Sequence, residues 1–472
     1  MVSLSPKVAP IAILVAVWVI ALSARHGAVA PEVGDYVGEK AAHYRNKVSD
    51  YFQRRRGWKE PDFKAAWLAA DVDLNTTRIS QYCAKSTWRE DIVLELYMAR
   101  GGLGNIRAEI LDFIHLAVIV GAPIILPQYS MRRSKSSGAD ALGFPDEDIG
   151  WHDFGHIFDT EWFVSTMREH CPQMTIYRTL ANNPSNTTIE NIFSPVRART
   201  DCNADETEAA AVQALNDWIP QQPGYVPGSP VRIRVKANLL IYNMHLRPKL
   251  RTALGRLLRI APTIRELAAE TSFALHERYG DLVQVDPREQ LHRGGYCGVH
   301  MRTEEDAVRV GWTGYFSFKS QTNEFIELCG RKGFRVMYVA SGRQEDIDRL
   351  ATKAWETAGM TVISKSDLLD TQRHRDLLKE MSFDQLGALD YEVLARSSFF
   401  IGPEMSSFSW NLAIRRHFNN PETCDGSAAC VYPYAIQEDE PLVVFDDSIS
   451  RIILKPNGIG YLQAFAPGGM FP

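Results

Sequence analysis

The chain has 472 residues, 45% hydrophobic and 23% charged, with a formal net charge of -5 and an isoelectric point near 6.2. That length exceeds what one hydrophobic core sustains, so two domains are expected. The slightly acidic balance lacks the basic footprint of a nucleic-acid-binding surface, and no nucleic-acid partner is expected.

Residues 8–24, "VAPIAILVAVWVIALSA", are uncharged between Lys7 and Arg25. They approach the ~20 residues that cross a bilayer as a helix. "AVA" at 28–30 resembles a signal cleavage site, but Pro31 directly after it disfavours cleavage, so an uncleaved anchor is the preferred reading. Either reading sends the remainder into the secretory lumen. Asn75-Thr76-Thr77 and Asn186-Thr187-Thr188 are glycosylation acceptors; Asn183-Pro184-Ser185 is excluded by its proline. Seven cysteines without a C-x-x-C pair fit no zinc pattern, and in an oxidising lumen most would pair, leaving at least one free thiol. Cys424 and Cys430, bracketing a turn-rich loop, are expected to form a local disulfide. Cys297 reads as a small buried hydrophobe.

Residues 1–30 are thus assigned to a cytoplasmic tip and anchor and 31–85 to a polar stem, whose one basic run, "QRRRGW", is read as a solvated helix face in preference to a lipid contact. From Asp91 the pattern becomes strand ("DIVLELYMA"), glycine turn ("RGGLGNIR"), helix ("AEILDFIHLAVIV") and strand ("GAPIILP"), a βαβ unit. A second alternating series follows. "PTIRELAAETSFALHERYG" reads as helix, "GYCGVHM" as strand, "QTNEFIELCGRKG" as a helix closed by Gly333, and "FRVMYVAS" as strand. Helix "EDIDRLATKAWETAG", strand "MTVIS", helix "ALDYEVLARS", strand "SFFIGPE" and helix "SSFSWNLAIRRH" complete it. Such alternation predicts parallel sheets covered by helices, as two facing α/β domains at 86–285 and 286–472. Residues 128–160 and 171–235, rich in Ser, Pro, Asn and acids, read as irregular loops or insertions.

In parallel α/β sheets ligands bind beyond the carboxyl ends of strands, and three segments put unusual residues there. "GGLGNIR" lacks the last glycine of a dinucleotide fingerprint, where Arg107 stands, and has no Walker G-K-[ST]. It remains either a plain turn or a low-bulk helix start that lets backbone N–H groups approach an anion. His300 and Arg302 lie two apart on one strand face, a fork and a ring suited to phosphate and hydroxyl. The alternative is a structural network of Arg302 with Glu304, Glu305 or Asp306. Ser406-Ser407 after the Gly402-Pro403 turn stand at a helix start, which serves equally as cap or anion site.

Taken in order, glycine turn, H-x-R strand end and G-x-x-x-S-S-F-S make the chain resemble the GDP-fucose protein O-fucosyltransferase family over roughly residues 90–445. The resemblance implies a GT-B fold, two facing Rossmann-like domains, and an inverting transfer of fucose from GDP-fucose without a metal or other cofactor. The acceptor is a hydroxyl, of protein Ser/Thr first or of a glycan. It implies that Arg302 contacts the β-phosphate and assists departure of GDP, His300 holds ribose or phosphate, and Ser406, Ser407 and Phe408 cradle the pyrophosphate. Asp390 would recognise the nucleotide; Gly102, Gly104 and Asn105 would border the reacting sugar. Where one branch of the family carries a glutamate in the glycine loop, this chain has Leu103, so the base is unassigned, Glu109 and Asp306 being substitutes without a motif. The candidate metal motifs "DVD" (71–73) and "DED" (146–148) follow no convincing strand, and no metal is expected. The rivals are an α1,6-type fucosyltransferase, which also uses an H-x-R strand, and a non-catalytic anchored GDP-sugar or glycan-binding protein. A hydrolase has no G-x-S-x-G, H-E-x-x-H or cysteine-nucleophile signature behind it. Expected localisation is the Golgi or endoplasmic reticulum membrane, single-pass type II, with the catalytic part lumenal.

Overall fold

The computed structural model describes residues 57–70, 76–97, 99–130, 151–183, 185, 187–194, 204–236, 248–309, 311–314, 316–421, 423–424, 445–453 and 471. The anchor expected at 8–24, both acceptor asparagines and both D-x-D motifs lie outside these. Among the described residues no helix is long and apolar enough to cross a membrane. Met1–Phe63 and Lys64–Pro472 are separate compact units; in the first, the rings of Trp58 and Phe63 meet edge-on at 6.1 Å.

The second unit holds two five-stranded parallel sheets. The first draws on β1 (Ile92–Tyr97), β2 (Ile124–Ile125), β3 (Ile176–Tyr177), β4 (Thr187–Phe193) and β5 (Val231–Lys236), in the order β3-β2-β1-β5-β4. The second draws on β6 (Cys297–His300), β7 (Val336–Ala340), β8 (Thr361–Ile363), β9 (Phe399–Pro403) and β10 (Ser450–Ile453), in the order β8-β7-β6-β9-β10. Renumbered from its own first strand, the second order is 3-2-1-4-5, that of a Rossmann sheet. Its switch point falls between β6 and β9.

Helices α1 (Leu103–Val120), α2 (Pro262–Tyr279), α3 (Phe318–Arg331), α4 (Gln344–Ala358), α5 (Phe383–Ala395) and α6 (Ser407–Asn419) cover these sheets. In α1 every side chain except those of Asn105 and Ile119 is buried. A helix buried on every side belongs between layers, and here that burial includes Arg107, Glu109, Asp112 and His115. It ends at Gly121, φ +70°, whose N–H caps the Ala117 and Val118 carbonyls. α3 ends at Arg331, and Gly333 follows at φ +80°, the left-handed position glycine adopts without strain.

Three sequence expectations change. Residues 171–235, read as irregular, supply three strands of the first sheet. "VRIRVK" in β5 alternates buried and half-buried, the mark of a strand with one covered face, whereas a register shift between Ile189 and Ile192 breaks that alternation in β4. The end of the predicted stem also belongs to the fold: helix Thr76–Lys85 buries Ile79 and Cys83, and Trp67 lies fully buried under the Arg396 guanidinium at 3.7 Å.

Cys297, finally, is no free hydrophobe, for it bonds Cys329 of α3, while Cys83 bonds Cys171. Cys424 is also disulfide-bonded, and Cys430, its expected mate, is outside the described residues. Cys329→Ser should cost ~2–4 kcal/mol of unfolding free energy, as expected for opening a loop of this length. Denaturant titration checks this; an unchanged midpoint would mean the pair is not formed.

Candidate active site

β6 ends at His300 and its last sheet bond is Met301 N–H to Ala340 O, 2.9 Å. β9 ends at Pro403, and α6 opens four residues later at Ser407. The two motifs therefore flank the crevice at the switch point, where parallel folds hold ligands.

His300 is 8% exposed; its Nδ1 lies 2.9 Å from Ser409 Oγ, and its ring sits 4.6 Å from that of Phe408, which in turn meets Tyr391 edge-on at 5.6 Å. Ser409 packs on β9 itself: a Cβ at Gly402 would come within 2.3 Å of its Oγ. That close approach requires the glycine.

Arg302 makes the network left open by the sequence. Nη1 donates to Glu304 Oε2 at 2.6 Å and Nη2 to Asp306, with the Trp312 ring 5.8 Å away. Burial lowers its pKa, but Glu304 and Asp306 outweigh this and leave it raised. Burial likewise opposes ionisation of Glu304, yet Arg302 and the Gly342 N–H, 2.7 Å from Oε1, bring its carboxyl down to about 2. Two carboxylates thus aim the guanidinium, and two of its five donors are engaged by them.

Ser406 is the N-cap of α6, but its side chain makes no cap hydrogen bond. The capping reading is therefore not realised, and the first N–H groups of α6 keep the partial positive charge of a helix start. The glycine motif arrives from the other sheet. α1 begins inside it, at Leu103 rather than at Ala108, with Gly102 as N-cap. A Cβ on Gly104 would lie 2.6 Å from the Ser407 carbonyl and 2.9 Å from the Phe408 N, so the two helix starts touch backbone to backbone. Asn105, one of the two positions of α1 that are not buried, lies beside Gly101, which holds φ +98°. Two residues on, buried Arg107 donates to Phe471 O at 2.6 Å and to Gly255 O, and burial lowers its pKa to about 10.

Gly104→Ala should therefore force one of two backbones to move, at ~1–3 kcal/mol for overpacking, and weaken the binding of any anion held at the start of α6. Calorimetry and thermal unfolding check this; a variant with native affinity would show that the contact does not shape the site.

The structure brings Gly102, Gly104, Asn105, Ser406, Ser407, Phe408 and His300 together, with Arg302 two residues beyond His300. Asp390 is 3% exposed in the core under β7, accepting from Tyr338 Oη at 2.7 Å and Lys365 Nζ at 2.6 Å, and it feels the charge of Glu304. Burial raises its pKa against the opposing pull of Lys365. Leu103 is buried, Glu109 accepts the Arg100 N–H at 2.8 Å, and Asp306 is held by Arg302. Ser409, Gly342 and Gln321 were missed; of these only Ser409 sat within a motif. Among the described residues no group of three or more His, Cys, Asp or Glu gathers as for a metal.

Parallel sheets with helix starts meeting at a switch point are the arrangement in which such folds take anionic ligands such as nucleotides. The sequence matches the GDP-fucose protein O-fucosyltransferase family over residues 96–419, well over half of its length; it belongs to that family and is a glycosyltransferase. No curated protein matches it. Similar solved structures include POFUT1 with GDP-fucose, at 12% identity and TM-score 0.41, covering 71% of this chain and 96% of that one. Another is fucosyltransferase NodZ from Bradyrhizobium, at 13% and 0.36, covering 69% and 93%. The assignment rests on the family match alone.

Proposed function

We propose that the protein transfers fucose from GDP-fucose to a Ser/Thr hydroxyl of a protein acceptor, inverting the anomeric centre without a metal, in the lumen of the secretory pathway. The observation that carries this reading is the junction of three motifs at one crevice: the H-x-R end of β6, the uncapped start of α6, and Gly104 pressed against that start.

In this reading the start of α6 at Ser406, Ser407 and Phe408 receives the pyrophosphate. Arg302, aimed by its carboxylates, meets the β-phosphate with its remaining donors as the bond from the sugar C1 to the phosphate oxygen breaks, and the leaving GDP takes that electron pair. Preorganised donors placed where charge develops are the strongest lever available to such a site. His300, fixed through Ser409 and Phe408, holds ribose or phosphate. Gly102 and Asn105 line the sugar side, where the acceptor oxygen forms the new bond to C1 and its proton passes to solvent water, no side chain being assigned as base. Asp390 supports the nucleotide through the Tyr338–Lys365 network. Two disulfides and the apolar stretch at 8–24 support a type II, lumenal placement in Golgi or endoplasmic reticulum.

The test is GDP release from GDP-fucose by EDTA-treated protein offered Ser/Thr-containing protein domains or N-glycans. Release with the protein acceptor and inverted product supports the reading. Release only with a glycan, or only after a divalent cation is restored, rejects it.

A further inference from the structure

Past Met301 the β6 ladder is finished, yet the Arg302 peptide is buried and its N–H and C=O need partners. One side chain supplies both. Gln321, fully buried in the first turn of α3, accepts from Arg302 N–H at 2.9 Å through Oε1 and donates to Arg302 C=O at 3.0 Å through Nε2. The same Nε2 donates to Phe316 O at 2.7 Å, just before α3, whose start is fixed by Ser317 capping the Ser320 N–H at 3.1 Å. The amide thus imitates an adjacent strand for one residue. Eight residues further along α3, Cys329 bonds Cys297 of β6, so strand and helix are tied covalently at one end and by this fork at the other.

We propose that Gln321 is a positioning residue: it fixes the Arg302 backbone so that the guanidinium, already aimed by Glu304 and Asp306, meets the second phosphate of a nucleoside diphosphate. The inference rests on the GDP-fucose reading above. Glu304 and Asp306 set the direction of the side chain; Gln321 sets where it starts. A glutamine whose amide is spent on the Arg302 backbone and the Phe316 carbonyl has no donor or acceptor turned to base or ribose, so its loss is expected at the β-phosphate.

The test is calorimetric titration of the full chain with GDP and with GMP, for wild type, Gln321→Met and Gln321→Glu. Methionine keeps the volume and removes every bond. Glutamate keeps an acceptor for the Arg302 N–H and turns the donor into an oxygen facing two carbonyls, so it tests the donor arm of the fork, and thermal unfolding of each variant identifies the folded ones to compare. Phe325→Leu, in the apolar core on the same helix, controls for general loss of stability. The expected result is a fall in the GDP-to-GMP affinity ratio of about tenfold or more in both Gln321 variants, the size of a charged hydrogen bond, with GMP affinity within about twofold and the Phe325→Leu ratio unchanged. A ratio preserved in either Gln321 variant, or lost equally in Phe325→Leu, overturns the positioning role. A wild type that binds no GDP overturns the donor reading itself, and the two failures are separate.

Discussion

Arg302→Ala is expected to lower kcat for fucose transfer by about 100-fold or more, the loss typical of removing a principal electrostatic stabiliser. The structure complicates this substitution, because it also leaves Glu304 and Asp306 buried without their cation, and breaking a buried pair costs ~3–5 kcal/mol. Arg302→Lys separates the two effects. It keeps the charge but not the planar fork that reaches two carboxylates and a phosphate at once. A folded Arg302→Lys protein should therefore remain slow while binding GMP normally. Turnover near wild type in that variant would make Arg302 a structural tie and nothing more.

The second large effect is at Asp390. Asp390→Ala strands Lys365 and the Tyr338 hydroxyl in the core, and should destabilise the fold by ~3–5 kcal/mol. Asp390→Asn retains an acceptor for Tyr338 and should destabilise less. If Asp390 supports the nucleotide through this network, the asparagine variant loses GDP affinity more than it loses saturated turnover. Native affinity in a stably folded Asp390→Asn protein would confine Asp390 to the core.

The second sheet was legible because fully buried parallel strands are short apolar runs: "GYCGVHM", "FRVMYVAS" and "SFFIGPE" each became a strand of it. The first sheet was legible only at β1 and β2. Of the others, β3 is only Ile176–Tyr177 and β4 is broken by the shift at Ile189–Ile192, whereas β5, "VRIRVK", alternates cleanly inside a stretch whose composition reads as an irregular insertion. Periodicity has little to show in two residues or across a bulge. The site was readable as an order of motifs, since close backbone approach dictates glycine at 104 and 402 and helix starts favour serine. What the sequence left open was partnership. Nothing in "HMRTEEDA" decides whether carboxylates two and four residues on fold back onto Arg302, and nothing in "FKSQTNEF" marks Gln321 as its clamp. Cys297 is similar, for burial and pairing leave the same apolar context around a cysteine.

The most direct measurement is calorimetric titration of the protein in EDTA with GDP-fucose, GDP, GDP-mannose and UDP-glucose. Binding of GDP and GDP-fucose without a metal, in preference to the other two, is the predicted result and identifies the donor. Silence from all four in a folded sample, or binding of the uridine nucleotide only once a metal is added, would contradict it.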